Sequence, residues 1–218
     1  MMHDWYDILP YFSNRHLIWF AQCSAHAHAF ANQALQKAKW KRQGLCKLAK
    51  MNDLAGVQYL IENGANVHTR EDYALRWASE KGHLEVVKYL VEKGADVHAW
   101  YDISHVWAGR NGHLEVVKYL IKKGVDVHVR DDEALRWASM DGQLEVVRYL
   151  VEECRADVHT RNDEALQLAS IRGHLEVVQY LVENGATQLN AANRKKMQKI
   201  LKKPYVPIAV YLRKVGLC

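Results

Sequence analysis

The chain has 218 residues, of which 49% are hydrophobic and 25% are charged, and its formal net charge at pH 7 is +5. This composition predicts a folded chain of one or two domains, because it supplies enough apolar surface for a core. The four cysteines are scattered without a CxxC pair, which argues against a disulfide framework, and no apolar stretch reaches the roughly 20 residues of a membrane span.

The N-terminal segment, residues 1–43, precedes the regular part of the chain. Residues 8–35 resemble the F-box pattern, in which an ILxYLxxxDL helix is followed by a helix of the LxxVC type. The leading LPxE segment is absent, and His16 stands where the pattern has Asp. The resemblance implies docking of a Skp1-type adaptor of a cullin ubiquitin ligase through Leu9, Phe12, Leu17 and Phe20. The alternative is a helical cap, because the end of a repeat array needs covering.

One short string then recurs along the chain. GHLEVVKYL occupies residues 82–90 and 112–120, GQLEVVRYL residues 142–150, GHLEVVQYL residues 173–181, and the looser NDLAGVQYL residues 52–60. Successive copies are 30 or 31 residues apart. Such a period is typical of stacked units that cannot bury their apolar faces alone, so we predict five of them across residues 44–190.

Each unit is predicted to contain two helices. In the second unit the first helix is expected to begin near Asp72, whose carboxylate would accept hydrogen bonds from the free amides of the first turn. That helix is predicted to end at Gly82 in a left-handed conformation, with Asn52 as the equivalent in the first unit. The second helix has apolar residues at spacings of three and four and ends at Gly94.

Two further features of the units carry predictions. In the fourth unit Cys154 and an inserted Arg155 replace the helix-ending glycine, which predicts a turn without a left-handed residue. Tryptophans recur in one register of the first helices, at Trp77, Trp107 and Trp137. They predict either an aromatic ladder buried between units or an aromatic groove that binds a ligand.

The unit resembles the ankyrin repeat in its helix pair, its GADVH string at residues 94–98 and its ALRWAS string at residues 74–79. The resemblance covers about residues 45–190. Ankyrin repeats usually run 33 residues with a β-turn finger between repeats, so the shorter unit implies clipped fingers. Shortened repeats with this tryptophan are similar to those of large families in giant DNA viruses. The resemblance implies an all-α ankyrin-repeat solenoid of helix-turn-helix units, with helical caps, that binds proteins.

Neither the pattern of histidines nor that of the serine and cysteine residues predicts catalysis. A histidine recurs once per unit, but equivalent residues of packed helices lie roughly 8–10 Å apart, too far to share one metal ion whose ligands lie about 2 Å from it. We interpret this column, at His68, His98, His128 and His159, as support for the connecting loops. The chain has no nucleophile elbow, P-loop or HExxH string. We therefore predict no enzyme activity, no metal site and no cofactor.

A binding surface is predicted where residues vary between units, which in ankyrin proteins is the exposed side of the first helices and the fingers. Trp100 and Tyr101 are the largest departures and are natural binding anchors, although they could instead fold back over the clipped loop. The predicted partner-binding residues are Glu80, Lys81, Trp100, Tyr101, Arg110, Asn111, Met140, Asp141, Ile171 and Arg172.

The C-terminal segment, residues 191–218, is basic. It contains NRKKMQKILKK, in which Met197, Ile200 and Leu201 form an apolar stripe, and no acidic residue follows Glu183. This pattern predicts a capping helix. The alternative is contact between its positive charges and nucleic acid or an acidic partner.

These features together predict a monomeric, non-enzymatic scaffold for protein–protein interaction. Its partner is a protein of unknown identity, and we expect neither nucleic acid nor a membrane as the main partner. A role as an F-box-type substrate receptor is the first alternative, and binding through the basic tail is the second. We expect an intracellular location, in the cytoplasm of the cell or host cell, with the nucleus as the alternative.

Overall fold

The computed structural model describes residues 25–187 and 207–217. Within these residues all regular secondary structure is α-helical. Five helix pairs follow one another between two flanking helices, α1 (Ala25–Gln43) and α12 (Pro207–Lys214). The first helices of the pairs are α2 (Leu45–Lys50), α4 (Tyr73–Glu80), α6 (Ala99–Arg110), α8 (Val129–Met140) and α10 (Thr160–Arg172). The second helices are α3 (Leu54–Glu62), α5 (Leu84–Glu92), α7 (Leu114–Lys122), α9 (Leu144–Glu152) and α11 (Leu175–Glu183).

The pairs stack in chain order, because first helices pack on neighbouring first helices and second helices on neighbouring second helices. The apolar spacing of the second helices explains this arrangement. Val87 and Leu90 of α5 are fully buried, and their equivalents in the other second helices belong to the same continuous core. The prediction of an all-α solenoid is therefore confirmed.

The connection between units contains three consecutive left-handed residues, with φ between 51° and 61°. These triplets are residues 70–72, 100–102, 130–132 and 161–163. They replace an extended finger, and the right-handed part of each first helix begins after the final aspartate of the triplet. A left-handed residue other than glycine costs about 1 kcal/mol, so the surroundings must stabilise each triplet.

The aspartate at the end of each triplet supplies part of that stabilisation. Asp72 is buried; its carboxylate contacts His68 Nδ1 at 3.1 Å and accepts a hydrogen bond from the Asp96 backbone amide of the next unit at 3.2 Å. This carboxylate makes no hydrogen bond to its own helix, so the predicted capping role of the Asp72 side chain is wrong. Its left-handed backbone, with φ of 59°, differs from the extended conformation that a capping residue adopts.

The same contacts recur along the array. His98 Nδ1 lies 2.7 Å from Asp102, whose carboxylate accepts from the Asp126 amide at 3.1 Å. The column of histidines thus has the structural role predicted from the sequence. Among the described residues, no group of three or more His, Cys, Asp or Glu side chains is placed to hold a metal ion.

The fourth unit ends its second helix differently from the others. Arg155 takes the left-handed position, with φ of 59°, so the prediction that this turn avoids a left-handed residue is wrong. Because of the insertion, the hydrogen bond that closes this turn spans one more residue than in the other units. Ala156 N–H donates to the Leu150 carbonyl at 2.9 Å, whereas Ala95 N–H donates to Leu90 at 2.9 Å in the second unit. The left-handed closure is retained and moves to the inserted residue.

Substituting Arg155 with glycine is expected to raise the free energy of unfolding by up to about 1 kcal/mol, because glycine adopts positive φ without a Cβ clash. Urea unfolding of the full chain measures the change. The matched control is Arg172→Gly at a right-handed helical position, which is expected to lower stability by about 1 kcal/mol. A loss of stability in Arg155→Gly as well would contradict the assignment of strain to Arg155.

The first repeat is covered by α1. Ala31 is buried, and the Trp40 indole lies against α3, where Nε1 donates to Asp53 Oδ2 at 2.7 Å and the ring centroid is 5.3 Å from that of Tyr59. Asp53 also accepts from the Gly56 amide at 2.9 Å and so caps α3. This helix therefore packs on the first repeat.

The last repeat is covered by α12, which packs on α11 and buries Ile208, Ala209 and Leu212. The residues predicted for the C-terminal cap, Met197, Ile200 and Leu201, lie outside the described part of the chain. The described helices include none that is long and apolar enough to cross a membrane.

Candidate binding surface

The tryptophan column lies on the exposed side of the first helices. Trp77, Trp107 and Trp137 are each half-buried, whereas Leu75 and Ala78 of the same helix are fully in the core. The prediction of a ladder buried between units is therefore only partly correct. The core positions are already filled by smaller residues, and one side of each indole stays accessible to solvent.

Cations alternate with these indoles along the stack. Lys50 Nζ lies 3.7 Å from the Trp77 ring centroid. The Arg76 guanidinium lies 5.5 Å from the Trp107 ring, and Arg110 lies 5.2 Å from Trp107 and 4.7 Å from Trp137. Each contact is within the distance at which a cation is attracted to an aromatic face, so the surface is held in a defined conformation.

The second unit adds a tyrosine to this surface. The Arg76 guanidinium lies 4.6 Å from the Tyr73 ring, and the rings of Tyr73 and Trp77 meet edge to face with centroids 5.8 Å apart. Arg76 thus lies among the rings of Tyr73, Trp77 and Trp107, an arrangement that we call the Arg76 cage. Arg76 Nε is buried and has no hydrogen-bond partner in the described structure.

The third unit has Val106 at the position of Arg76, whereas the polar equivalents in the fourth and fifth units have internal partners. Arg136 Nε donates to the backbone carbonyl of Asp131 at 3.1 Å, and its Nη2 donates to that of Arg130 at 2.9 Å. Its Nη1 pairs with the Glu164 carboxylate at 2.8 Å. Gln167 donates to the carbonyl of Asn162. In these two units the side chain therefore supports the left-handed triplet rather than presenting a polar group to the outside.

The left-handed triplet of the third unit contains Trp100 and Tyr101, the two aromatic residues predicted from the sequence to bind a partner. Trp100 is 48% exposed and Tyr101 is 74% exposed. The Arg130 guanidinium of the next unit lies 5.4 Å from the Tyr101 ring. Their exposure favours the interpretation as binding anchors over the alternative in which they fold back onto the loop.

The other residues predicted to bind a partner occupy different environments. Lys81 pairs with Glu80 at 3.1 Å, and Arg110 pairs with Asp141 at 2.8 Å. Met140 is buried at 7% exposure and does not contribute to the surface. Those at least partly exposed are Glu80, Lys81, Arg110, Asn111, Asp141, Ile171 and Arg172. Outside the described residues lie Leu9, Phe12, Leu17 and Phe20.

Lys50, Tyr73 and Arg76 belong to this surface but were not among the predicted residues. Their signal is a difference between units, because Tyr73 stands where later units have Glu133 and Glu164. The contacts that bring Lys50 and Arg76 to the indoles run between units and are visible only in the folded stack.

The two cysteines in the described part of the chain are free and partly buried. Burial raises the pKa of both the Cys46 and the Cys154 thiol above its ordinary value. A raised pKa disfavours the thiolate, which is the reactive form of cysteine. Neither residue therefore has the environment of an activated nucleophile.

Stacked helix pairs with an exposed first-helix surface define a repeat protein that presents one elongated side to its surroundings. The family model for ankyrin repeats (3 copies) matches residues 16–99 and 105–193, and the chain belongs to the ankyrin-repeat family. No curated protein matches the chain significantly. Ankyrin repeats generally mediate protein–protein interaction, and proteins built from them are typically non-enzymatic scaffolds.

Proposed function

We propose that this protein is a non-enzymatic scaffold that binds a protein partner along its first helices and the triplet of the third unit. The observation that carries the proposal is the column of half-exposed indoles at Trp77, Trp107 and Trp137, together with the exposure of Trp100 and Tyr101 in the triplet of the third unit. Tryptophan, tyrosine and arginine are the residues that contribute most to protein interfaces.

The arrangement of these side chains favours binding for an energetic reason. Immobilising a flexible side chain at an interface costs about 0.5–1.5 kcal/mol. Cation–π contacts already restrict the indoles of Trp77 and Trp107 in the free protein. A partner that packs on them therefore loses less of its binding free energy to ordering this surface.

The double substitution Trp100→Arg and Tyr101→Asn is expected to abolish or strongly weaken recovery of the partner in affinity purification. Arginine and asparagine stand at these positions in the fifth unit, as Arg161 and Asn162. Because both already adopt left-handed backbone there, the substitution is expected to leave the fold intact. The measurement compares proteins co-purified with the wild-type chain and with the variant, identified by mass spectrometry.

The matched control is Val210→Gln, which removes an exposed apolar side chain from α12 far along the chain from the triplet. It is expected to recover the same partners as the wild type. Equal recovery by all three proteins would exclude the triplet from the binding surface, and circular dichroism would establish that each protein is folded.

We propose residues 1–43 as a helical cap, residues 44–190 as five repeats and residues 191–218 as a basic capping segment. Two observations support the cap over the F-box interpretation. Trp40 packs on the first repeat through Asp53, and the ankyrin match begins at residue 16, inside the F-box-like segment. Recovery of Skp1 and a cullin in the same purification, lost when Leu9, Phe12 and Leu17 become polar, would favour the substrate-receptor role instead.

Binding of nucleic acid through the basic tail is the remaining alternative. Lysine and arginine contacts to phosphates would make such binding strongly dependent on salt concentration. Residues 194–203, which carry six of the eight basic residues after Glu183, lie outside the described part of the chain. The described surface favours a protein partner, because its aromatic residues are fixed by internal cations.

A further inference from the structure

We propose that the Arg76 cage binds a carboxylate of an acidic segment in the protein partner. The inference rests on the proposed scaffold function and names the chemistry of one part of the same surface. It follows from a difference between Arg76 and its equivalent in the fourth unit, Arg136. Both arginines occupy the same register of a first helix, yet only one has its hydrogen-bonding groups satisfied within the described residues.

Arg136 shows which group this position requires. Its guanidinium pairs with Glu164 of the following unit at 2.8 Å. The residue that corresponds to Glu164 in the unit following Arg76 is Ile103. The internal carboxylate is therefore replaced by an apolar side chain, and a partner can supply the carboxylate that the chain lacks.

The Arg76 guanidinium is held in place but is chemically unpaired. The Tyr73 ring lies 4.6 Å from it and the Trp107 ring 5.5 Å. Within the described residues the Arg76 side chain forms neither an ion pair nor a hydrogen bond, and its Nε is buried. Aromatic stacking fixes the plane of the guanidinium without using the N–H groups of its two terminal Nη atoms, which remain available for a bidentate carboxylate.

The surrounding charge favours an anion of this kind. Lys50 lies over the outer indole of the cage, Trp77, at 3.7 Å, and Lys81 shares its charge with Glu80 at 3.1 Å. Positive charge therefore exceeds negative charge around Trp77. One unpaired guanidinium matches the single charge of an aspartate or glutamate, and the adjoining rings provide an apolar surface for the residue next to it.

The test uses the full chain, immobilised, and three synthetic peptide libraries that differ at one fixed central residue. That residue is glutamate, glutamine or phosphoserine, and the other positions are randomised. The wild-type protein is expected to retain the glutamate library at least tenfold more strongly than the glutamine library. This comparison needs no variant, so it does not depend on whether a substituted protein folds.

Two variants assign the preference to the cage. Arg76→Gln removes the guanidinium, and Ile103→Glu supplies an internal carboxylate at the register of Glu164. Both are expected to abolish the preference for glutamate. The matched control is Lys122→Gln, which removes one positive charge from an exposed position at the end of α7 and is expected to keep the preference.

Equal retention of the glutamate and glutamine libraries by the wild type would overturn the inference, as would a preference that survives in both cage variants. Stronger retention of the phosphoserine library than of the glutamate library would also overturn it, because the recognised group would then be a phosphate. If the co-purified partners are still lost in the triplet variant, the scaffold function stands and only the carboxylate assignment fails.

Discussion

Replacing His105 with leucine is expected to raise the free energy of unfolding by roughly 1–3 kcal/mol, the range for relieving a buried unsatisfied polar group. His105 is fully buried in the first helix of the third unit. Its Nδ1 contacts the carbonyl of Asp102, but its Nε2 has no hydrogen-bond partner in the described structure. Equivalent positions in the second, fourth and fifth units hold fully buried leucines, so the site accommodates a leucine side chain.

The same substitution is expected to flatten the pH dependence of stability. Burial lowers the pKa of His105 below its ordinary value, and it outweighs the opposing effect of the Asp102, Asp126 and Glu133 charges. The unfolded chain therefore binds a proton at a higher pH than the folded chain does. The free energy of unfolding is therefore unaffected by His105 titration above about pH 6.5. Below that pH it falls, and His105 contributes at most about 1.4 kcal/mol of loss per pH unit.

Urea unfolding of the wild type and of His105→Leu between neutral pH and pH 5 measures both effects. The difference in free energy between the two proteins is expected to grow as the pH falls, which isolates His105 from the other histidines. The reciprocal control is Leu75→His in the second unit, which is expected to lower stability and to add a loss at low pH. A constant difference across this pH range would show that His105 does not contribute to the acid sensitivity.

Replacing Gly82 with alanine is expected to cost about 2–3 kcal/mol, more than the roughly 1 kcal/mol of a left-handed alanine alone. Gly82 has φ of 74°, and an added Cβ would lie 2.4 Å from His113 Nδ1 of the next unit. The imidazole cannot move away without loss, because its Nε2 is hydrogen-bonded to the Glu80 carbonyl at 3.0 Å. Backbone conformation and packing between units therefore both require glycine here.

The matched control is Gly173→Ala in the fifth unit. Gly173 also has positive φ, of 97°, but an added Cβ there meets no atom within 4 Å. Denaturant unfolding is expected to give the smaller loss for Gly173→Ala, and the difference between the two variants measures the contact with His113. In the His113→Ala background the cost of Gly82→Ala is expected to fall by about 1 kcal/mol. Equal losses for the two glycines in the wild-type background would show that the histidine contact contributes nothing.

The helical stack could be predicted from the sequence because its determinants are local and repeat. Apolar spacing in GHLEVVKYL specifies the buried face of the second helix, and glycine marks the left-handed end of the first. The left-handed position of Gly82 was predicted for these reasons and is confirmed. Leucine at the position of His105 in other units likewise makes that histidine visible as a departure.

The connections between units could not be predicted in the same way. No glycine marks the left-handed triplets, so Asp72 was interpreted as a capping residue although its carboxylate binds the following unit. The sequence also left the burial of the tryptophans open, because burial depends on which side of each first helix the next unit covers. The Arg76 cage could not be predicted either, because its rings come from two units and meet only in the folded stack.

The contact between Gly82 and His113 has a genetic consequence. One unit contributes the glycine and the next contributes a polar side chain, which is His113 for Gly82, Gln143 for Gly112 and His174 for Gly142, so the second, third and fourth units each carry both halves of the contact. Recombination between the identical strings at residues 82–90 and 112–120 removes or duplicates 30 residues, and each remaining unit still meets a compatible neighbour. The terminal helices α1 and α12 are untouched by such an event. The length of the array can therefore change between generations while the protein continues to fold.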